Sequence, residues 1–189
     1  PYVIGQPLFT PDGGLLFTAK DQTAGGQLAM ADPTTGRLLD LPEGMRGRKG
    51  RLVGFTADGK TLATLADDTV TFWDWPAGTV RLTIVVPLPA PTWAPDPKDP
   101  KNQRDYAGVD SVSLSADGRF VFTYSLRVPN GGASTEGVYA NDIWDAHTGK
   151  HLHRLAAPKT RYQAAFSPDG RAMYLGGNSL GRGDRQERQ

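Results

Sequence analysis

The sequence predicts an all-β fold built from repeated four-stranded antiparallel units. Three observations support this prediction. Chain breakers are abundant, with 23 Gly and 15 Pro among 189 residues. One turn-forming phrase recurs four times, and runs rich in β-branched and aromatic residues separate the turns. So many breakers indicate many short elements and argue against long helices.

Composition narrows the classes of function. The chain carries 21 basic and 20 acidic residues, a net charge of +1. Such a small net charge provides no overall electrostatic attraction to nucleic acid or to an anionic membrane, so we expect neither as a partner. No run reaches the ~18 apolar residues of a membrane helix. The lack of cysteine excludes disulfides and thiolate metal sites. It fits either redox compartment, so the location stays unknown, and the cytoplasm is the slightly favoured expectation.

The recurring phrase reads FTPDGG, FTADGK, LSADGR and FSPDGR. Its Asp-Gly pair predicts a tight hairpin turn, because Gly supplies a positive φ and Asp hydrogen-bonds its own backbone. The glycines follow one another at intervals of roughly 50 residues, the size of one four-stranded unit with insertions. The four pairs are Asp12-Gly13, Asp58-Gly59, Asp117-Gly118 and Asp169-Gly170.

A second phrase follows in the first three units. It reads MADPTTG, TFWDWPAG and DIWDAHTG, and in each case a strand ends, a turn containing Gly follows, and an alternating strand leaves. Each complete unit therefore holds four strands. The residues at the strand ends are Ala31-Asp32, Trp73-Asp74 and Trp144-Asp145.

Together the two phrases resemble WD repeats, whose four-stranded blades are arranged around a central channel as a β-propeller. The resemblance covers most of residues 1–177, and a polar tail that we expect to be disordered follows at 178–189. The sequence departs from the family in two respects. It lacks the Gly-His before the first strand, so the family's His–Ser/Thr–Asp–Trp hydrogen-bond network is incomplete. It also has Ala31 in the first unit where Trp is usual. The implied blades cover about 2–41, 51–86, 109–156 and 161–177, with a Pro-rich insertion at 87–108.

The blade number is a further departure. About three and a half blades fall short of the smallest closed propeller, which has ~4. Exposed strand edges invite association. We therefore expect the remaining blades to come from a longer chain, or other copies to complete a ring, such as seven blades from two copies. A start at Pro1 instead of Met fits an excised or processed piece, and the resemblance suggests a larger bacterial multidomain protein.

The resemblance also implies two faces. Asp-Gly and Trp-Asp turns lie on one, whereas connections between blades and between second and third strands lie on the other. The long loops here all belong to the second class, so we expect a protein partner to bind that face. An alternative for Trp93 is that it only staples its own loop, and the charged residues would then be a solvated surface. The candidate partner-binding residues are Arg46, Arg48, Lys49, Trp93, Arg104, Tyr106 and Arg127.

Other motifs carry less weight. GNSLG around Ser179 matches a serine-hydrolase pattern, but no His follows it. His151 and His153 are two apart and would share one face of a strand, where they could hold zinc, although polar residues on an outer strand explain them equally. Asp67-Asp68 fits a turn. We therefore expect no catalytic residue, metal or cofactor, and a non-catalytic interaction scaffold. The alternative is a propeller enzyme or a small-ligand or metal binder using the central channel.

Overall fold

The structure is a computed structural model that describes residues 2–20, 26–91, 106–129, 137–156 and 161–178. Within these ranges fourteen strands form three four-stranded antiparallel sheets and one two-stranded sheet, which confirms the all-β prediction. Strands are hydrogen-bonded in their order along the chain, so each sheet is a simple meander. No helix in this part of the chain is long and apolar enough to cross a membrane.

The first sheet contains strands β1 (Tyr2–Phe9), β2 (Leu15–Lys20), β3 (Gln27–Ala31) and β4 (Leu38–Leu39). A short 3₁₀ helix, Glu43–Met45, follows it. The second sheet contains β5 (Arg51–Phe55), β6 (Thr61–Ala66), β7 (Thr69–Asp74) and β8 (Thr79–Val85).

The third sheet contains β9 (Tyr106–Leu114), β10 (Phe120–Val128), β11 (Val138–Asp145) and β12 (His151–Arg154). The fourth contains β13 (Arg161–Phe166) and β14 (Met173–Asn178). β10 runs three residues past the predicted strand end, so Arg127 lies in a strand, opposite Val138, and not in the predicted loop. Tyr106, predicted in the insertion, opens β9.

The first strands of successive sheets meet at a common centre. β1 contacts β5, β5 contacts β9, and β9 contacts β13. The fourth strands, β4, β8 and β12, lie at the other edge of their sheets. The sheets are therefore arranged radially, as expected for blades around a channel.

Apolar side chains fill the wedges between sheets. The core between the first and second sheets contains Leu16, Met30, Leu62 and Trp73. The core between the second and third sheets contains Ala63, Phe72, Val121 and Trp144, among others. The inner strands β6 and β7 of the second sheet are therefore largely buried, whereas the outer strands β8 and β12 are mostly exposed.

The Asp-Gly turns close by a common hydrogen-bond pattern. In the second sheet the N–H of Gly59 donates to Thr56 O, and the N–H of Thr56 donates to Thr61 O. The turns of the third and fourth sheets repeat this spacing. The first turn closes one residue earlier, because the N–H of Thr10 donates to Gly14 O. Consequently Phe17, and not Thr18, occupies the position of Thr64.

Candidate binding site

Each of the two signature tryptophans forms a buried hydrogen bond. The indole Nε1 of Trp73 donates to Thr64 Oγ1 at 2.9 Å, and that of Trp144 donates to Thr123 Oγ1 at 2.9 Å. Each pair lies on the face that its sheet turns toward the preceding sheet. The tryptophans were predicted from the repeat, but the threonines were not. Each threonine stands five residues after the turn glycine of its sheet, and this shared spacing could have revealed them.

A hydroxyl residue completes three of the four Asp-Gly turns. Thr56 donates to Asp58 Oδ1 at 2.6 Å, and Ser115 donates to Asp117 in the same way. Ser167 repeats the contact with Asp169 at 2.6 Å. The hydroxyl hydrogen bond holds the pKa of Asp58 below its ordinary value. These hydroxyl residues stand two positions before each Asp, and sequence analysis did not single them out.

In the turns between third and fourth strands, an Asp carboxylate accepts hydrogen bonds from backbone N–H groups of the turn. Asp145 Oδ1 accepts hydrogen bonds from the N–H groups of His147 and Thr148, which lower the pKa of Asp145. Asp32 does the same with Thr34 and Thr35, and the side-chain hydrogen bond from Thr34 contributes most to lowering its pKa from 3.8 to about 2. These carboxylates therefore stabilise the turns between third and fourth strands.

The expectation that His151 and His153 share a face is wrong. A β-bulge shifts the pairing of β11 and β12, so His151 lies opposite Trp144 and His153 opposite Ile143. Neighbouring residues of a strand point to opposite faces, and directly paired residues share one, so the two imidazoles diverge.

His151 has a different partner. Its Nε2 lies 2.8 Å from Oδ1 of the fully buried Asp142. The guanidinium of Arg154 contacts the same carboxylate through two nitrogens, at 2.8 and 2.9 Å. The described residues contain no group of three His, Cys, Asp or Glu side chains placed to hold a metal. The cluster therefore ties β12 to β11.

The basic segment 42–51 is not the simple surface loop that the sequence suggests. Met45 is fully buried in the core between the first and second sheets. Further along, Leu28 N donates to Arg48 O, and Lys49 pairs with Gln27. The segment is therefore a wedge between two sheets, because its one apolar side chain and its backbone both have partners.

Two of its three candidate cations have intramolecular partners. Arg46 Nε donates to Leu41 O at 3.2 Å and approaches Asp40 at 3.7 Å. Arg48 lies over the Trp73 ring, 5.7 Å from its centroid. Lys49 is exposed and reaches a pocket.

That pocket has a volume of about 430 Å³ and lies where the first three sheets meet. Its lining comes from strand ends remote from the Asp-Gly turns, which places it on the face predicted to bind. Three hydrogen bonds join residues of its lining. Arg51 Nη2 donates to Val109 O at 3.1 Å and Asp110 O at 3.0 Å, and Thr18 Oγ1 donates to Gly50 O at 3.0 Å.

The pocket brings together only some of the predicted binding residues. Lys49 and Tyr106 both line it, and Tyr106 is 58% exposed. Trp93, Arg104 and Ser179 lie outside the described residues. The other pocket residues belong to no sequence motif and were not predicted as binding residues. They can be recognised only once the three sheets are seen to meet, and they include Thr18, Arg51, Leu65, Val109 and Asp110.

Comparison with known proteins supports the fold. No protein-family model and no curated protein matches the sequence. Among solved structures, TolB from Acinetobacter baumannii matches with a TM-score of 0.51 and 21% identity over 90% of this chain and 37% of its own. Hydrazine synthase from Kuenenia stuttgartiensis matches with a TM-score of 0.57 and 17% identity over 89% and 48%. This chain thus spans less than half of either protein.

Both of these neighbours are β-propeller proteins, and at this level of identity the likeness concerns the fold alone. It agrees with the radial sheets and the shared centre of first strands. This chain therefore has the β-propeller type of fold.

Proposed function

We propose that this chain is a non-catalytic scaffold that binds a protein partner through the pocket between its first three sheets. The observation that carries the proposal is the pocket's construction. Three sheets supply its walls, and Lys49 and Tyr106 stand exposed at it. Its lining combines apolar side chains with several charged ones, and a concave site in which placed polar groups fix the orientation of the bound molecule is a usual form of binding site.

The partner chemistry follows from the lining. Leu65 and Val109 offer apolar surface, Tyr106 an exposed ring, and Lys49 a cation. Asp67 adds an exposed carboxylate, so an extended peptide segment with an apolar side chain between an acidic and a basic residue would match this lining. The Arg51 and Thr18 hydrogen bonds fix the pocket before binding, which reduces the ordering cost of association.

We also propose that the sheets are divergent WD-type blades. The Trp73–Thr64 and Trp144–Thr123 hydrogen bonds support this, because they supply two of the four members of the family's network at corresponding positions. The buried Asp142 with His151 and Arg154 gives the third sheet a different set of polar partners.

The test is a selection from a random peptide library on the immobilised chain, followed by affinity measurements of the selected peptides by calorimetry. We expect Tyr106→Ala and Lys49→Ala each to weaken binding by about tenfold, which corresponds to about 1.4 kcal/mol. Lys150→Ala is the matched control, because Lys150 is exposed beside a turn on the opposite face.

Selected peptides that bind both pocket variants as tightly as the native chain would contradict the proposal. So would a library that yields no peptide above background.

A further inference from the structure

The four Asp-Gly turns differ in length. In the second sheet, six residues, 56–61, separate the last paired residues of β5 and β6. The third and fourth sheets have turns of the same length, at 115–120 and 167–172. The turn of the first sheet has only five residues, 10–14. It lacks the residue that directly follows the turn glycine in the others, which is Lys60, Arg119 or Arg171.

The residue missing from the first turn helps to hold the aspartate in the longer turns. The N–H of Lys60 donates to Asp58 Oδ1 at 3.0 Å, and Thr56 Oγ1 donates to the same oxygen at 2.6 Å. Asp117 and Asp169 accept the same pair of hydrogen bonds, at 2.6–3.1 Å. Each of these three carboxylates is therefore held in one orientation by a hydroxyl and a backbone N–H of its own turn.

Asp12 has neither of these hydrogen bonds. Thr10 stands in the place of Thr56, but its hydroxyl donates to Gly14 O at 3.1 Å. In the part of the chain that the structure describes, the carboxylate of Asp12 accepts no hydrogen bond, and the residue is exposed. The difference arises inside the turn, from its length.

The turn glycines, by contrast, are held alike. The N–H of Gly13 donates to Thr10 O at 2.9 Å, and those of Gly59, Gly118 and Gly170 donate to the corresponding carbonyl at the same distance. The first and fourth turns even share the tripeptide Pro-Asp-Gly. The four Asp-Gly pairs therefore differ chiefly in how the aspartate carboxylate is held.

We propose that Asp12-Gly13 is a site of spontaneous isomerisation to isoaspartate, and that the fold protects the other three Asp-Gly pairs. The nitrogen of Gly13 attacks Cγ of Asp12. An N–Cγ bond forms, and the amide proton and the carboxyl OH leave together as one water molecule. Water then adds to one of the two carbonyls of the resulting five-membered succinimide. Cleavage of the N–Cγ bond restores aspartate, whereas cleavage between the nitrogen and the main-chain carbonyl carbon leaves the backbone running through Cγ.

Hydrogen bonds to the carboxylate oppose this reaction in two ways. The side chain must rotate to bring Cγ onto the following nitrogen, which breaks the bonds that hold the carboxylate. The carboxyl group must also be neutral to lose its OH, and the hydroxyl hydrogen bonds lower the pKa of Asp58 and Asp169. Glycine as the next residue leaves the attack unhindered at all four sites, since it has no Cβ.

The first experiment incubates the native chain at neutral pH and body temperature. Isoaspartate at each site is then measured by digestion and mass spectrometry with electron-transfer fragmentation. We expect Asp12 to isomerise about tenfold faster than Asp58, Asp117 or Asp169, because each of those must first lose charge-assisted hydrogen bonds. The chain unfolded in guanidinium chloride is the matched control. There Asp12 and Asp169, with the same neighbours in sequence, should react at equal rates.

Two results would overturn the proposal. One is a folded chain in which Asp12 reacts no faster than Asp169. The other is a preference for Asp12 that persists unchanged in denaturant, because the local sequence and not the turn would then be its cause.

The second experiment changes the turns themselves. A lysine inserted between Gly13 and Gly14 restores the six-residue turn, and it should slow Asp12 to the rate of Asp58. Ser167→Ala removes the hydroxyl that holds Asp169, and it should speed isomerisation at that site several-fold while Asp12 keeps its native rate. Melting curves check that both variants are folded.

Folded variants in which Asp12 and Asp169 both keep their native rates would show that the hydrogen bonds give no protection, which overturns the proposed cause. Asp12→Glu is the background control, since glutamate would have to form a six-membered ring. The folded Asp12→Glu chain should therefore lose most of the isoaspartate found in the native chain, and an unchanged total would contradict the assignment of the site.

Discussion

The open side of the first sheet, which holds Phe9, Gly13 and Phe17, differs from the corresponding faces of the second and third sheets at the residues that define the repeat. In the second and third sheets, the face that packs on the preceding sheet holds Trp73 or Trp144, which is buried and hydrogen-bonded to a threonine. The first sheet has no preceding sheet among the described residues, and it carries Ala31 and Phe17 at those positions. The fourth sheet packs on the third with Leu175 at the threonine position, so the Trp–Thr pair belongs to the second and third sheets alone among the described residues.

Removal of a signature ring should produce the largest effect. We expect Trp144→Ala to lower the free energy of unfolding by about 3–5 kcal/mol, because Trp144 is 6% exposed and fills the core between two sheets. Phe17→Ala, at a partly buried residue on the open side of the first sheet, should lower it by about 1 kcal/mol. Urea unfolding followed by circular dichroism measures both. Equal losses would show that the open side of the first sheet is packed as tightly as the faces between sheets.

The turn glycines Gly13 and Gly59 allow a second comparison of the first sheet with the second. Gly59 and Gly13 have φ of 68° and 88°, so alanine at either should strain the backbone by about 1 kcal/mol. Gly59→Ala also drives a methyl group into Pro11, and we expect a further loss of about 1–3 kcal/mol. Melting curves of the two variants give the difference.

A Pro11→Ala change should relieve much of the Gly59→Ala defect and leave Gly13→Ala unaffected. No relief would mean that the turn-to-turn contact contributes little.

The smallest expected effect is a dependence on acid. Hydrogen bonds lower the pKa of Asp32 in the folded chain to about 2, mainly through the Thr34 hydroxyl, so this residue stabilises the fold above its ordinary pKa of 3.8. That contribution disappears as the pH falls through about 2. Asp32→Ala should therefore be less stable than the native chain at neutral pH and nearly equal to it at the acid end. Urea titrations at both pH values test this, and a gap that is constant with pH would contradict it.

Most strands and turns could be predicted from the sequence, because the residue patterns that specify them are local. The four Asp-Gly phrases and the run after each turn suffice to place most strands, and Trp73 and Trp144 are visible as letters. The bulge beside His151 could not be predicted, since it depends on the pairing of two strands and has no distinctive residue. The burial of Met45 was hidden for a similar reason, because the residues around it are charged or glycine.

The pocket could be predicted only in part. Lys49 and Tyr106 stood out as a cation and an aromatic residue in expected loops. Arg51 and Thr18 have roles that appear only once three sheets meet, because each donates to a carbonyl group far away in the sequence.

The wedge around Met45 has a consequence for how the chain unfolds. A single connection inserts its side chain into the core of the first two sheets and pairs its backbone with β3. Opening either sheet therefore exposes apolar surface of the other, and we expect amide protons in both to lose protection in one event. The first two sheets should then unfold as one cooperative unit, because the segment that joins them lies directly between them in the sequence and needs little loop closure.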